Sequence, residues 1–254
     1  METSGPASEV APRGHAAAAI AAVALACWAF LAWTAVDMGN PLASLMMPMS
    51  ADWTMPNTLA VFAMWAIMMA AMMLPSAWPM IRDFAKVSSR NRETARTRAF
   101  VGAYLSVWIV FSLIATAAQW AFQLADLVNP MIVSTSATLT AATLAIAGVY
   151  QFSPLKRRCL SQCRTPFGFL LGEWRAGARG AWTMGLRHGL LCVGCCWALM
   201  GLLFVGGAMN LAWVAALSVV VAVEKMAPHG DRVALALGVA LIAAGAARLA
   251  SLLH

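Results

Sequence analysis

Between His15 and Asp37 the chain carries no charged side chain, and residues 57–81, 99–125, 131–151 and 189–223 are equally free of charge. A helix rises about 1.5 Å per residue, so about 20 apolar residues cross the ~30 Å hydrocarbon core of a bilayer. Every one of these runs is that long. Lipid leaves no partner for a bare backbone, which restricts spanning segments to helices and closed barrels. The runs lack the alternation of a barrel strand. The pattern predicts an all-α fold, a polytopic transmembrane helix bundle of about seven spans. Their expected positions are 16–36, 57–80, 99–125, 132–152, 183–205, 211–226 and 233–252. The run 189–223 exceeds one untilted span, and "VGGAMN" at 205–210 supplies a glycine turn that divides it. The sixth helix is then short and adjusts by tilt or local bilayer thinning. A single undivided fifth helix gives six spans and inverts the C-terminus.

No internal repeat is visible, so residues 16–254 read as one transmembrane domain. Residues 1–15, "METSGPASEVAPRGH", carry both acidic and basic groups and precede a run of full spanning length. They read as a short disordered tail rather than a cleaved signal. Two polar loops are expected, 82–98 and 154–182. The second is long enough to hold a short amphipathic helix near 166–174, lying at the interface. Of the 17 lysines and arginines, six fall in "RDFAKVSSRNRETARTR" and six in "KRRCLSQCRTPFGFLLGEWRAGAR". The segments 37–56 and 126–130 carry aspartate and no basic residue. The positive-inside rule then places both basic loops and the N-terminus in the cytoplasm. The net charge of +7 is accounted for by topology, and the dispersed basic residues form no nucleic-acid-binding motif.

Composition adds sulfur to this picture: 17 methionines and 6 cysteines in 254 residues. In "MGLRHGLLCVGCCWALMG", helical spacing puts Met184, His188, Cys192, Cys195 and Cys196 on one stripe. Soft sulfur and imidazole donors suit Cu(I), with Zn(II) the other metal such a set takes. Ligating residues at mid-membrane depth are functional candidates. The packing alternative is that free cysteine is a small apolar filler. In "MWAIMMAAMMLPSAWPM", Met64, Met68 and Met72 share one face, and Met69 and Met73 another with Met80 near it. Thioethers are neutral, soft ligands, and methionine is equally a good packer of helix bundles. Met46, Met47 and Met49 crowd "DMGNPLASLMMPMSADWTM" with Met38 and Met55. Thioethers on an outer loop form no disulfides, which fits Cu(I) capture, and an apolar loop resting on headgroups is the alternative. Cys159 and Cys163 in "KRRCLSQCR" lie four apart, on one helical face. The surrounding cations are expected to lower their pKa and favour thiolate. Glu224 and His229 in "EKMAPHGDR" read as a helix end and a solvated loop.

The stretches "MMAAMMLPSAWP", "YQFSPLKRRCLSQCR", "GLRHGLLCVGCCWALM" and "GGAMNLAWVAALSVVVAVEK" resemble, in this order, a bacterial family of predicted metal-binding integral membrane proteins. The resemblance covers residues 58–238. It implies an inner-membrane setting, and ligand roles for Cys159, Cys163, His188, Cys192, Cys195 and Cys196.

Three readings follow. The first is a non-enzymatic soft-metal protein, copper before zinc, that captures, holds or passes on the ion between the membrane and an extracytoplasmic or cytoplasmic metal carrier. No Walker motif points to ATP. The second is a membrane thiol-disulfide oxidoreductase, using the C-x-x-C spacing of Cys192 and Cys195 with Cys159 and Cys163 as partner pair. The third is a scaffold or assembly subunit whose cysteines pack.

Overall fold

The structure is a computed structural model that describes residues 12–90 and 94–251. Of the expected tail, residues 1–11 lie outside the described residues. The described residues form α1 Pro12–Val36, α2 Pro41–Met46, α3 Met55–Arg90, α4 Thr94–Leu124, α5 Ala137–Gln151 and α6 Pro154–Arg164. They continue as α7 Pro166–Glu173, α8 Gly177–Gly201, α9 Leu203–Gly206, α10 Leu211–Met226 and α11 Gly230–Ala250. The fold is all-helical, with no strand among the described residues. Five helices are long and apolar enough to cross a membrane: those containing Ala18–Val36, Met55–Ser88, Ala95–Leu124, Gly177–Gly206 and Gly230–Ala250. At 15 and 16 residues, α5 and α10 fall short of that length.

The expected boundaries move for identifiable reasons. The segment 82–98 is largely helix, because α3 carries its buried face past the charges through Ile81, Phe84 and Ser88. Phe84 stacks on Phe100 of α4 at 4.5 Å between centroids, which closes the hairpin. The segment 154–182 holds α6, α7 and the start of α8. Each of the two short helices has proline in its first turn, where the missing N–H costs nothing. α7 falls where a short helix was expected but is apolar on both sides: Phe169 and Leu170 are buried, Phe167 and Leu171 exposed. α6 is the amphipathic one, burying Lys156, Cys159 and Leu160 and exposing Arg157 and Arg158. The start expected at 132 shifts to Ala137, since Ile132 adopts φ 64° and Ser134 donates its N–H to the Phe204 carbonyl. The division at 205–210 is present: Gly207 has φ 89°, and the Asn210 side chain caps α10 by accepting from Trp213 N–H.

Pro75 and Pro79 lie inside α3 without ending it. Pro75 has no N–H to give the carbonyl four residues back, that of Ala71. Trp28 of α1 supplies the missing donor, its indole N–H reaching Ala71 O at 3.1 Å. α1 is thus tied to α3 at the point where the prolines weaken it.

Contact between α4 and α8 is closest at glycine. A Cβ on Gly185 would lie 2.2 Å from the Phe100 carbonyl oxygen, and one on Gly189 would lie 2.9 Å from Val107. α5 and α11 interlock the same way through Gly148 and Gly238. Most buried apolar side chains form a single cluster, and Met46, Met64, Met68, Met69, Met72, Met73 and Met80 are among them.

Gly185→Ala should destabilise the fold by about 1–3 kcal/mol, because a backbone carbonyl cannot yield as a side chain does. Gly172→Ala, whose Cβ meets nothing within 4 Å, should be neutral. Thermal unfolding in detergent compares them, and equal melting would show that α4 and α8 do not approach this closely.

Candidate functional site

Met184, His188, Cys192, Cys195 and Cys196 are all buried on the inner face of α8, as the helical period requires. Cys192 is the centre of the cluster. Lys225 of α10 brings its Nζ to 2.9 Å from the Cys192 sulfur and donates to Ser76 Oγ of α3 at 3.1 Å. The Met73 sulfur lies 4.0 Å from the same nitrogen. The Tyr104 hydroxyl of α4 stands 3.1 Å from the Cys192 sulfur and 3.2 Å from the Met73 carbonyl oxygen. The Cys195 and Cys196 thiols both donate to the Cys192 carbonyl, at 3.1 and 2.9 Å.

α6 lays its two cysteines on this cluster. Cys163 and Cys195 are close neighbours, each perturbing the other's thiol. The Cys159 sulfur occupies the space above Gly194, where a Cβ would meet it at 2.8 Å. Only glycine at 194 lets α6 approach so closely, and Tyr150 of α5 donates to the Gly194 carbonyl beside it. Five of the six cysteines therefore meet between α6 and α8, and the sixth, Cys27, sits half-buried on α1. The expected effect of the cations on the α6 thiols is corrected. Arg157 and Arg158 face away from them, and burial pushes the Cys159 thiol up, with nearby Cys195 adding to it. Cys163 is also held well above the usual range, first by the neighbouring Cys195 and then by burial.

His188 lies between aromatic rings, with centroids 5.9 Å from Phe100, 5.6 Å from Tyr104 and 5.7 Å from Phe169. Its Nδ1 is buried and makes no hydrogen bond. A cavity of about 140 Å³ runs from His188 and Cys192 to Cys163, Arg164 and Met226, bordered by Met80. Glu224, read from the sequence as a helix end, is 1% exposed. It accepts from Lys156 Nζ at 2.7 Å and from Gln151 Nε2 at 3.1 Å.

The methionines divide. Met73 and Met80, from the second face of α3, reach the site, while Met64, Met68 and Met72 are buried in the general core. In the segment around α2, Met46 is buried, Met47 half-buried and Met49 85% exposed, so the three do not present one surface. Among the described residues, no three His, Cys, Asp or Glu side chains stand together as a ready cage for an ion. Lys225, Tyr104 and Ser76 were not singled out from the sequence. The one available signal was a glutamate–lysine pair directly following an apolar run, "VVVAVEK".

Residues 62–248 match the family described as PpoB2, copper chaperone, and the chain belongs to that family. Neither the curated proteins nor the solved structures contain a match to it.

The α6 thiols give a pH-dependent expectation. Thiolate is the reactive form, and a raised pKa leaves less of it at neutral pH. Alkylation of Cys159, followed by mass spectrometry, should therefore reach half its maximal rate at a pH above the value of about 8.5 typical of free cysteine. A midpoint below that value would mean that the surrounding arginines, rather than burial, govern the thiol.

Proposed function

We propose that this member of the copper-chaperone family sits in the bacterial inner membrane and holds copper as Cu(I) on the thiols around Cys192, then passes it to a carrier. The observation that carries the reading is the meeting of Cys163 of α6 with Cys195 of α8, beside Cys192 and Met73, in buried surroundings. Thiolate and thioether donors select soft Cu(I). Structural zinc sites use four ligands in a closed tetrahedron, a poorer match to donors arranged around a backbone carbonyl. His188, whose Nδ1 makes no hydrogen bond, lines the same cavity and adds a nitrogen donor. Ligation needs Cys195 and Cys196 to turn away from the Cys192 carbonyl, a rotation about one bond each.

Five apolar helices of spanning length support the membrane setting. The arginine-rich α3–α4 hairpin and the α6–α7 segment then face the cytoplasm by the positive-inside rule. The contact between Cys163 and Cys195 also gives the thiol-disulfide reading its best pair.

One experiment separates the readings. Protein purified anaerobically in detergent should carry stoichiometric copper, and the triple variant Cys192→Ser, Cys195→Ser, Cys196→Ser should lose it. Alkylation of those three cysteines should rise when a Cu(I) chelator is added, because bound metal protects its ligands. Labelling that responds to reductant but not to chelator would identify a redox pair. Copper-free protein with unresponsive thiols would leave only a packing role.

A further inference from the structure

The thiols around Cys192 have a passage on one side and dense packing on the other. Toward the α6–α7 end runs the cavity of about 140 Å³, with Cys192 and His188 at its inner end. Sulfur continues along it: Met80 on the wall, then Cys163, which is half-buried, and Met226, which is 51% exposed. Toward the α2 end core side chains separate the thiols from the groove bordered by Trp65, Phe122 and Phe204, and no cysteine lines that groove. Met68, Met69 and Met72 are 0% exposed. Beyond them Trp65 donates its indole N–H to Gln119 Oε1 at 2.7 Å, joining α3 to α4. Phe204 closes on Trp65 at 5.4 Å between centroids, and Phe122 on Phe204 at 5.2 Å. An ion moving that way would have to separate a buried hydrogen bond and an aromatic cluster.

We infer that the buried thiols load and unload a soft monovalent metal ion through this single door at the α6–α7 end, with Met80 and Cys163 as the sulfur steps. The inference rests on the copper reading above and adds a direction to it: the protein exchanges metal with one compartment and does not conduct it across the bundle. Each step is a ligand exchange. The bond from copper to the Cys192 sulfur breaks as a bond to the Cys163 sulfur forms, and the Cys163 thiol proton passes to the Cys192 sulfur. Copper remains Cu(I), and neither oxidant nor reductant is consumed. Arg164 latches the door, donating to the carbonyls of Ala227 and Pro228 at 2.7 Å each, across the turn between α10 and α11.

The test uses the full chain, copper-loaded, in lipid vesicles of the two orientations, distinguished by trypsin cleavage at exposed Arg157 and Arg158. A membrane-impermeant, coloured Cu(I) chelator is added outside. Copper should leave at least about ten-fold faster from vesicles presenting the α6–α7 end. Ala77→Phe fills the cavity and removes no sulfur, and should slow that release about ten-fold at unchanged copper content. Cys163→Ser should slow it as well, and serves where the larger side chain is not tolerated. Equal or faster release from the opposite face, or wild-type rates in both variants, would overturn the door. Wild-type protein that carries no copper would overturn the copper reading itself, and this inference with it.

Discussion

Lys225 holds an ammonium group where its nearest neighbours are the sulfurs of Cys192 and Met73 and the hydroxyl of Ser76. Removing such a charge from water costs several kcal/mol unless close partners compensate. The partners belong to α3 and α8, so α10 is fastened to both through one nitrogen. Glu224, the preceding residue, points about 100° away around the helix. It is met there by Lys156 of α6 and Gln151 of α5. Two consecutive residues at the end of a short helix therefore join α3, α5, α6 and α8. The thiol cluster lies between these attachments. Removing the Glu224 carboxylate leaves the Lys156 ammonium buried without its ion-pair partner, which makes Glu224 a condition for the rest of the arrangement.

The helices were legible wherever burial was continuous, because charge-free runs of spanning length have few other solutions. Their ends were less so. α3 passes Arg82 because Arg82 and Lys86 lie on its exposed side while Phe84 stacks on α4, a contact that no local pattern shows. Pro75 is accommodated by Trp28, which is 47 residues earlier in the chain (75 − 28) and invisible to a reading of helix propensity. The delayed start of α5 depends on Ile132 in the left-handed region. A β-branched residue seldom adopts that conformation, and here it is buried.

The candidate site divides along the same line. The stripe on α8 follows from a period of 3.6 residues and is readable from the sequence alone. The meeting of α6 with α8 is not, since it depends on Gly194 leaving room for Cys159 and on the Glu224–Lys156 pair pulling α6 inward. The same burial explains why arginines adjacent in sequence fail to set the character of the α6 thiols: they point the other way. A lysine ending an apolar run ordinarily reaches for the interface. Here α10 is too short and too enclosed for that, and the side chain turns inward.

The methionines of α3 serve two purposes that composition cannot separate, and the structure sorts them by depth. Met64, Met68 and Met72 fill core between helices, where an unbranched, adaptable side chain suits irregular gaps. Met73 and Met80 border polar atoms and thiols, where a thioether adds a weak, neutral donor that a leucine would not. On the copper reading this matters for release as much as for binding. Seating the ion breaks the thiol hydrogen bonds of Cys195 and Cys196 to the Cys192 carbonyl, each worth about 0.5–1.5 kcal/mol net. It must also move an ammonium from the Cys192 sulfur. Both costs are returned when the ion leaves. A site that recovers internal partners on release binds less tightly than a rigid, preformed cage of the same donors. That is the property a protein needs if it is to give its metal away.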